Sequence, residues 1–127
     1  MTEVALIAGN EETREVLRAL LRLHHHRVQG EGRGVTDARR LLRSGFKGVL
    51  FVDAELSDGS WTDVLESAPE SRPPVPSVLI SPFYGAEFEE KARKLGVGAI
   101  LLRPFEIPEL LDAIERVDGK RSQKSQA

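Results

Sequence analysis

The sequence contains no cysteine. Disulfides, thiolate metal sites and thiol nucleophiles are therefore excluded. Net charge is also nearly absent, −2 over 127 residues. No global field draws the chain to nucleic acid or to an anionic membrane surface. No apolar run approaches the roughly 18 residues of a spanning helix, and the first residues carry no signal-peptide core. The expectation is a cytoplasmic protein that binds neither membrane nor, through this domain, nucleic acid. Internal repeats and a domain boundary are lacking too. A composition of 40% hydrophobic and 30% charged residues suits one soluble domain with a single core.

What is present is an alternation of short apolar runs with amphipathic stretches. Val4–Ala8 reads as a strand buried on both faces, stopped by Gly9-Asn10. Asn10 is a good N-cap, with Glu11 and Glu12 in the favourable first turn. Val16, Leu17, Leu20, Leu21 and Leu23 then form a helical stripe. His24-His25-His26 closes that helix and leads into Arg27–Glu31, a short polar strand that suits a sheet edge. The three histidines read as a solvated helix end, since adjacent side chains diverge and no acid or cysteine completes a metal set.

Thr36 is placed to cap a helix carrying Ala38, Leu41 and Leu42, and Gly45 stops it. Gly48–Val52 is a buried strand that ends in Asp53. Asp58-Gly59 reads as a turn. Ser60 with Asp63 resembles a capping box for a short helix with Trp61, Val64 and Leu65, in which Trp61 is either core or contact. Ala68–Pro76 holds four prolines and reads as a loop. Val78–Ile80 is a fourth strand ending at Ser81.

Ala86–Leu95 reads as a helix with Phe88, Ala92 and Leu95 on one side and a solvated face of acid-first i,i+4 pairs. Ala99–Leu102 is the fifth strand, ending at Arg103-Pro104-Phe105. Ile107, Leu110, Leu111, Ile114 and Val117 line a last helix, with Pro108 tolerated in its first turn. The fold expected is α/β: one domain over 1–118 with a doubly wound, five-stranded parallel sheet in order 2-1-3-4-5. Residues 119–127 are expected to be a polar, disordered tail.

Asp53 is the most informative position. A buried strand ending in an acid places its carboxylate at the rim of a parallel sheet, where such folds keep their ligand chemistry. The acid either accepts backbone N–H groups and pairs with Arg103, or serves as a reactive carboxylate.

Three segments carry a family likeness. Leu50-Phe51-Val52-Asp53-Ala54-Glu55-Leu56-Ser57-Asp58-Gly59-Ser60-Trp61 resembles the phosphoacceptor strand and following turn of the receiver domains of two-component response regulators (CheY-like). Val78-Leu79-Ile80-Ser81 is similar to that family's strand ending in a switch Ser/Thr, and Leu101-Leu102-Arg103-Pro104-Phe105 to its Lys-Pro-Phe segment. The likeness covers roughly residues 3–117, in order and spacing. It implies Asp53 as phosphoacceptor and Ser81 and Arg103 as phosphate-pocket residues.

The resemblance also locates what is missing. With the first helix fixing the register, Ala8 and Gly9 stand where the family keeps its two metal-binding acids. Attack on a phosphoryl donor by an anionic carboxylate needs countercharge. Two like charges at about 4 Å repel by roughly 4 kcal/mol at an effective dielectric of 20. Mg²⁺ supplies that countercharge, and it binds through carboxylates and waters. Glu11 and Glu12 sit in the first turn of a helix and are not expected to reach in, whereas Glu55 is able to approach from the other side of the pocket, where its carboxylate would favour a metal.

Other positions depart from the family pattern. Arg103 replaces a lysine and is able to pair with Asp53 itself. Pro82 removes an N–H donor after Ser81. Ile100 stands where a rotating aromatic is frequent, Ser57 where proline is usual and Trp61 where glycine is usual.

The function expected is a degenerate receiver (a pseudo-receiver) that acts by protein–protein interaction, is not an enzyme and uses no cofactor. Its partner would be a signalling protein, a histidine kinase or an effector domain, with a homodimer possible. The contact surface would lie over helix 4, strand 5 and helix 5, with Tyr84, Ile100 and Phe105 as interface candidates. The alternative is a conventional phosphoacceptor that uses Mg²⁺ and is phosphorylated on Asp53 by a histidine kinase. A flavodoxin-like enzyme or nucleotide binder ranks last, because Gly9-Asn10-Glu11-Glu12 is no glycine-rich phosphate loop.

Overall fold

The computed structural model describes residues 2–67 and 75–126. Among these, five strands alternate with five helices: β1 (Glu3–Ile7), α1 (Glu11–Leu23), β2 (Arg27–Gly32), α2 (Val35–Arg43), β3 (Val49–Asp53), α3 (Trp61–Ser67), β4 (Ser77–Ser81), α4 (Ala86–Lys94), β5 (Ala99–Leu102) and α5 (Ile107–Gln126). All strand pairs are parallel, and the sheet order is β2-β1-β3-β4-β5, as the sequence pattern predicts. Most of the proline-rich loop expected over 68–76 lies outside the described residues.

The interiors of the central strands are apolar because both sheet faces are covered. Val4, Leu6, Val49, Phe51, Val78 and Ile80 point to one side. There they meet Leu17 and Leu21 of α1, and Leu110, Ile114 and Val117 of α5. Ala5, Ile7, Leu50, Val52 and Leu79 point to the other, where α2, α3 and α4 close a second core. Trp61 belongs to that second core, with its ring edge-on to Phe88 at a centroid distance of 5.2 Å. Strand β2 alternates between exposed and half-buried positions, as an edge strand should.

Two local expectations are corrected. The buried line of α1 is Arg14, Leu17 and Leu21, whereas Val16 and Leu23 are 50% and 68% exposed. One residue is about 100° of helix turn, so positions next to the inward line swing out of the core.

The second correction concerns α2. Thr36 lies inside this helix, its N-cap is Gly34, and Gly34 has no side chain to offer. The cap comes from Asp58, beyond β3. The Val35 N–H donates to Asp58 Oδ1 at 2.7 Å, and the Thr36 hydroxyl donates to Asp58 Oδ2 at 2.8 Å. The Thr36 hydroxyl and these helix N–H groups hold the Asp58 carboxyl below the usual range. Asp58 is thus a tie between two loops as well as part of a turn. A Cβ on Gly34 would lie 1.7 Å from Asp58 Oδ1. The other ends follow the sequence: Asn10 Oδ1 accepts the Thr13 N–H at 3.2 Å, and Ser60 N–H donates to Asp63 Oδ2 at 2.9 Å.

This cross-loop cap gives a coupled expectation. Gly34→Ala should cost about 1–3 kcal/mol by overpacking. In an Asp58→Ala background that cost should shrink, since the clashing oxygen is gone. Urea unfolding of the four proteins of the cycle measures the coupling; strict additivity would contradict the contact.

Candidate functional site

The register carries four of the sequence-selected positions to one rim. Ile7 pairs with Val52, Asp53 with Ile80, and Ser81 with Leu102. The next residues along, Ala8 and Arg103, therefore join Asp53 and Ser81 at the C-terminal edge of the sheet. This is the edge where an open α/β fold binds ligands.

Asp53 is 2% exposed. Its Oδ1 accepts the Glu55 N–H at 2.8 Å and Arg103 Nη2 at 3.2 Å. Its Oδ2 is buried without a hydrogen-bond partner. Burial pushes the Asp53 carboxyl above its ordinary range; the Glu55 N–H and the Arg103 guanidinium oppose that shift, and the Glu55 carboxylate adds to it. Arg103 does not form a two-pronged clamp. A single nitrogen serves both acids, with Glu55 Oε1 at 3.5 Å, while Arg103 Nε is buried and unpartnered. The Arg103–Pro104 peptide is cis.

The corner at Ala8 and Gly9 is filled by main chain. Gly9 N–H donates to the Glu55 carbonyl at 3.0 Å. A Cβ on Gly9 would stand 3.0 Å from Ser57 N and 3.1 Å from both Glu55 O and Leu56 C. The Ala8 carbonyl accepts from Arg14 Nη1. Arg14 is a buried cation at 7% exposure, with Glu31 at 3.9 Å. Sequence reasoning missed it. The available signal was a charged residue in phase with the inward Leu17 and Leu21, at spacings of three and seven.

The 55–58 loop is held on its far side too. Ser57 donates both its N–H and its hydroxyl to the Arg33 carbonyl, at 3.0 and 3.1 Å. Together with the Asp58 cap, these bonds fasten the loop after β3 to those after β1 and β2.

Ser81 is fully buried, and its hydroxyl is turned into its own loop. It donates to the Phe83 carbonyl at 2.8 Å and accepts the Phe83 N–H at 3.1 Å. The structure thus gives Asp53 and Arg103 a direct contact, and places Ser81 beside them with its bonds elsewhere.

Of the interface candidates, Tyr84 is 55% exposed and donates its hydroxyl to Glu89. Ile100 and Phe105 are half-buried and pack against the two cores. Phe83, Leu102 and Ile107 are the further exposed apolar residues at this end. Leu102 and Ile107 read as core in the sequence because they lie in apolar strand and helix patterns. Among the described residues no group of three His, Cys, Asp or Glu is placed to hold a metal, the histidine triplet included. His26 Nδ1 instead accepts the Thr2 N–H at 3.2 Å.

The arrangement belongs to a known architecture. No protein-family model matches the chain, and no curated protein matches it in sequence. Solved structures do match in fold. A DNA-binding response regulator of the LuxR family from Staphylococcus aureus aligns at TM-score 0.83 with 21% identity, covering 93% of this chain and 99% of that one. A CheY-like response regulator receiver domain protein from Methanospirillum hungatei JF-1 aligns at TM-score 0.85 with 17% identity, over 97% and 98%. The signal receiver domain of a modulated diguanylate cyclase from Desulfovibrio desulfuricans G20 gives TM-score 0.85 and 17% identity, over 98% of each chain. The chain has the receiver-domain fold, a single CheY-like α/β unit.

The raised Asp53 carboxyl sets a pH dependence of stability. Its folded value lies above its unfolded one, so its contribution favours folding below the unfolded value and is lost as pH rises through the folded one. Asp53→Asn keeps an acceptor for Glu55 N–H and Arg103 without the buried charge. The variant should therefore gain on the wild type as pH rises above the ordinary carboxylate range. Urea unfolding at several pH values tests this; a gap that narrows or reverses with pH would show that Arg103 outweighs burial.

Proposed function

We propose that this chain is a receiver-fold signalling module that acts by protein–protein interaction and does not take up phosphate through the Mg²⁺-dependent route of conventional receivers. Its fold and its strand-end motifs support the signalling role. The observation that carries the second half is the seating of the 55–57 main chain on Gly9. A carboxylate side chain at that position would press on the loop, because its first carbon would stand 3.0–3.1 Å from three main-chain atoms, which would have to give by a few tenths of an ångström.

A divalent cation does not fit the residues at this rim. Mg²⁺ demands near-octahedral oxygen ligands and sheds water reluctantly. Asp53 offers one oxygen already shared by two donors and another sealed inside. Glu55 is 66% exposed at its side chain and faces Arg103. The guanidinium brings positive charge to the same place, where a second cation meets repulsion instead of attraction. Ser81 holds Phe83, and Pro82 adds no N–H.

The binding surface in this reading is the α4–β5–α5 side, where Phe83, Tyr84, Leu102 and Ile107 present apolar area and Tyr84 bonds Glu89. Exposed aromatic residues of this kind suit a protein partner: a histidine kinase, another signalling protein or an effector domain. The module would be cytoplasmic and would carry no enzymatic step of its own.

A second reading has one observation in its favour. Asp53 Oδ2 bears no hydrogen bond, and a nucleophilic oxygen must be uncommitted. Under that reading Asp53 is a conventional phosphoacceptor, assisted by Ser81 and Arg103. Beryllofluoride with Mg²⁺ would then shift the amide signals of Asp53, Ser81 and Arg103; silence at saturating metal counts against it.

The direct test is incubation with acetyl phosphate and Mg²⁺, followed by intact mass. The mass should stay unchanged over a time in which a conventional receiver is fully modified. A stoichiometric phosphoryl adduct, absent from Asp53→Asn, would overturn the proposal.

A further inference from the structure

Helix α1 has two apolar sides. Leu17 and Leu21 enter the core, while Val16, Ala19 and Leu23 form a second line that is exposed along its length. Spacings of three and four residues place these on one face over two turns. Among the described residues, six large hydrophobic side chains are exposed. Phe83, Tyr84, Leu102 and Ile107 sit at the rim end of β4, β5 and α5, so Val16 and Leu23 make a separate patch.

The charges along this face are sorted by position. Glu12 and Glu15 occupy the first half of α1 and Arg22 its last turn. Arg18 is bound to Glu31 at 2.6 Å. Glu12, Glu15 and Arg22 form no ion pair among the described residues. A face with an acidic end, an apolar middle and a basic end complements itself when turned end for end, as a two-fold interface requires. A helix of uniform charge would match only half of it.

We propose that α1 pairs antiparallel with α1 of a second copy of this chain. Ala19 lies at the crossing, where a small side chain lets two helix axes approach. Val16 of one copy packs on Leu23 of the other, and Glu12 and Glu15 face Arg22. A helix of 13 residues is about 20 Å long. Such a contact falls short of the roughly 1,200 Å² of stable interfaces, so the dimer is weak and reversible. The net charge of −2 adds little repulsion.

Sedimentation equilibrium of the full chain, from about 20 µM to about 1 mM, tests the pairing. A reversible dimer should populate across this range. Val16→Asp or Leu23→Asp should weaken it by about tenfold or more. Both sites are exposed, and circular dichroism confirms that the variants fold. Glu15→Arg and Arg22→Glu should each weaken the dimer, and the double variant should recover, because the end-to-end match returns with its sign reversed. A monomer over the whole range, or a dimer indifferent to these changes, would overturn the proposal. Failure of the double variant to recover would overturn the antiparallel match. None of these outcomes depends on whether Asp53 accepts phosphate.

Discussion

The rim of this sheet is organised by a main-chain contact. Gly9 has no side chain, so the loop after β3 lies directly on it and its N–H closes a 3.0 Å bond to the Glu55 carbonyl. Everything else at the rim is arranged around that seating. Ser57 and Asp58 carry the loop on to the β2–α2 connection, where Asp58 supplies the cap that Gly34 cannot. Gly34 is as constrained from its side as Gly9 is from the other. Two glycines thus let three loops meet at backbone distance, and a strand-end cleft becomes a packed surface.

Asp53 inherits an unusual position from this arrangement. It is buried and half-satisfied, with Oδ1 taking the Glu55 N–H and one Arg103 nitrogen while Oδ2 has no partner. Burial and the single ion pair pull its protonation in opposite directions, and burial prevails. Breaking such a pair is costly even where the pair itself adds little net stability, because it leaves a charge without a partner. Arg14 repeats the theme at the end of β1, where a buried guanidinium holds the Ala8 carbonyl and lies near Glu31. On the proposed reading, fixed side-chain cations occupy the role that a dissociable ion has elsewhere. The rim is then set in one state, and the surfaces of the domain carry its function.

Much of this was legible in the residues. The sheet order followed from one polar strand among four apolar ones, and the rim positions followed from where each apolar run stops. The Asp53–Arg103 contact was legible because both residues end strands that the order places near one another. Three features were not. Val16 and Leu23 look like core by composition, and only the phase set by Leu17 and Leu21 excludes them. Arg14 is in phase but charged, so polarity hid its burial. The Asp58 cap joins residues more than twenty apart, a pairing that local capping patterns do not contain. The closed corner lay partly beyond reach as well. The sequence shows Ala8 and Gly9 where acids would stand, whereas the loop that fills their space is a matter of packing.

The central claim is that this corner has no room and no charge for a divalent ion. Calorimetric titration of the wild-type chain with MgCl₂, paired with amide shifts of Gly9, Asp53 and Glu55, addresses it most directly. The account predicts no saturable heat up to about 10 mM metal and no shift localised at the rim. Saturable binding below about 1 mM, with those three amides moving together, would contradict it.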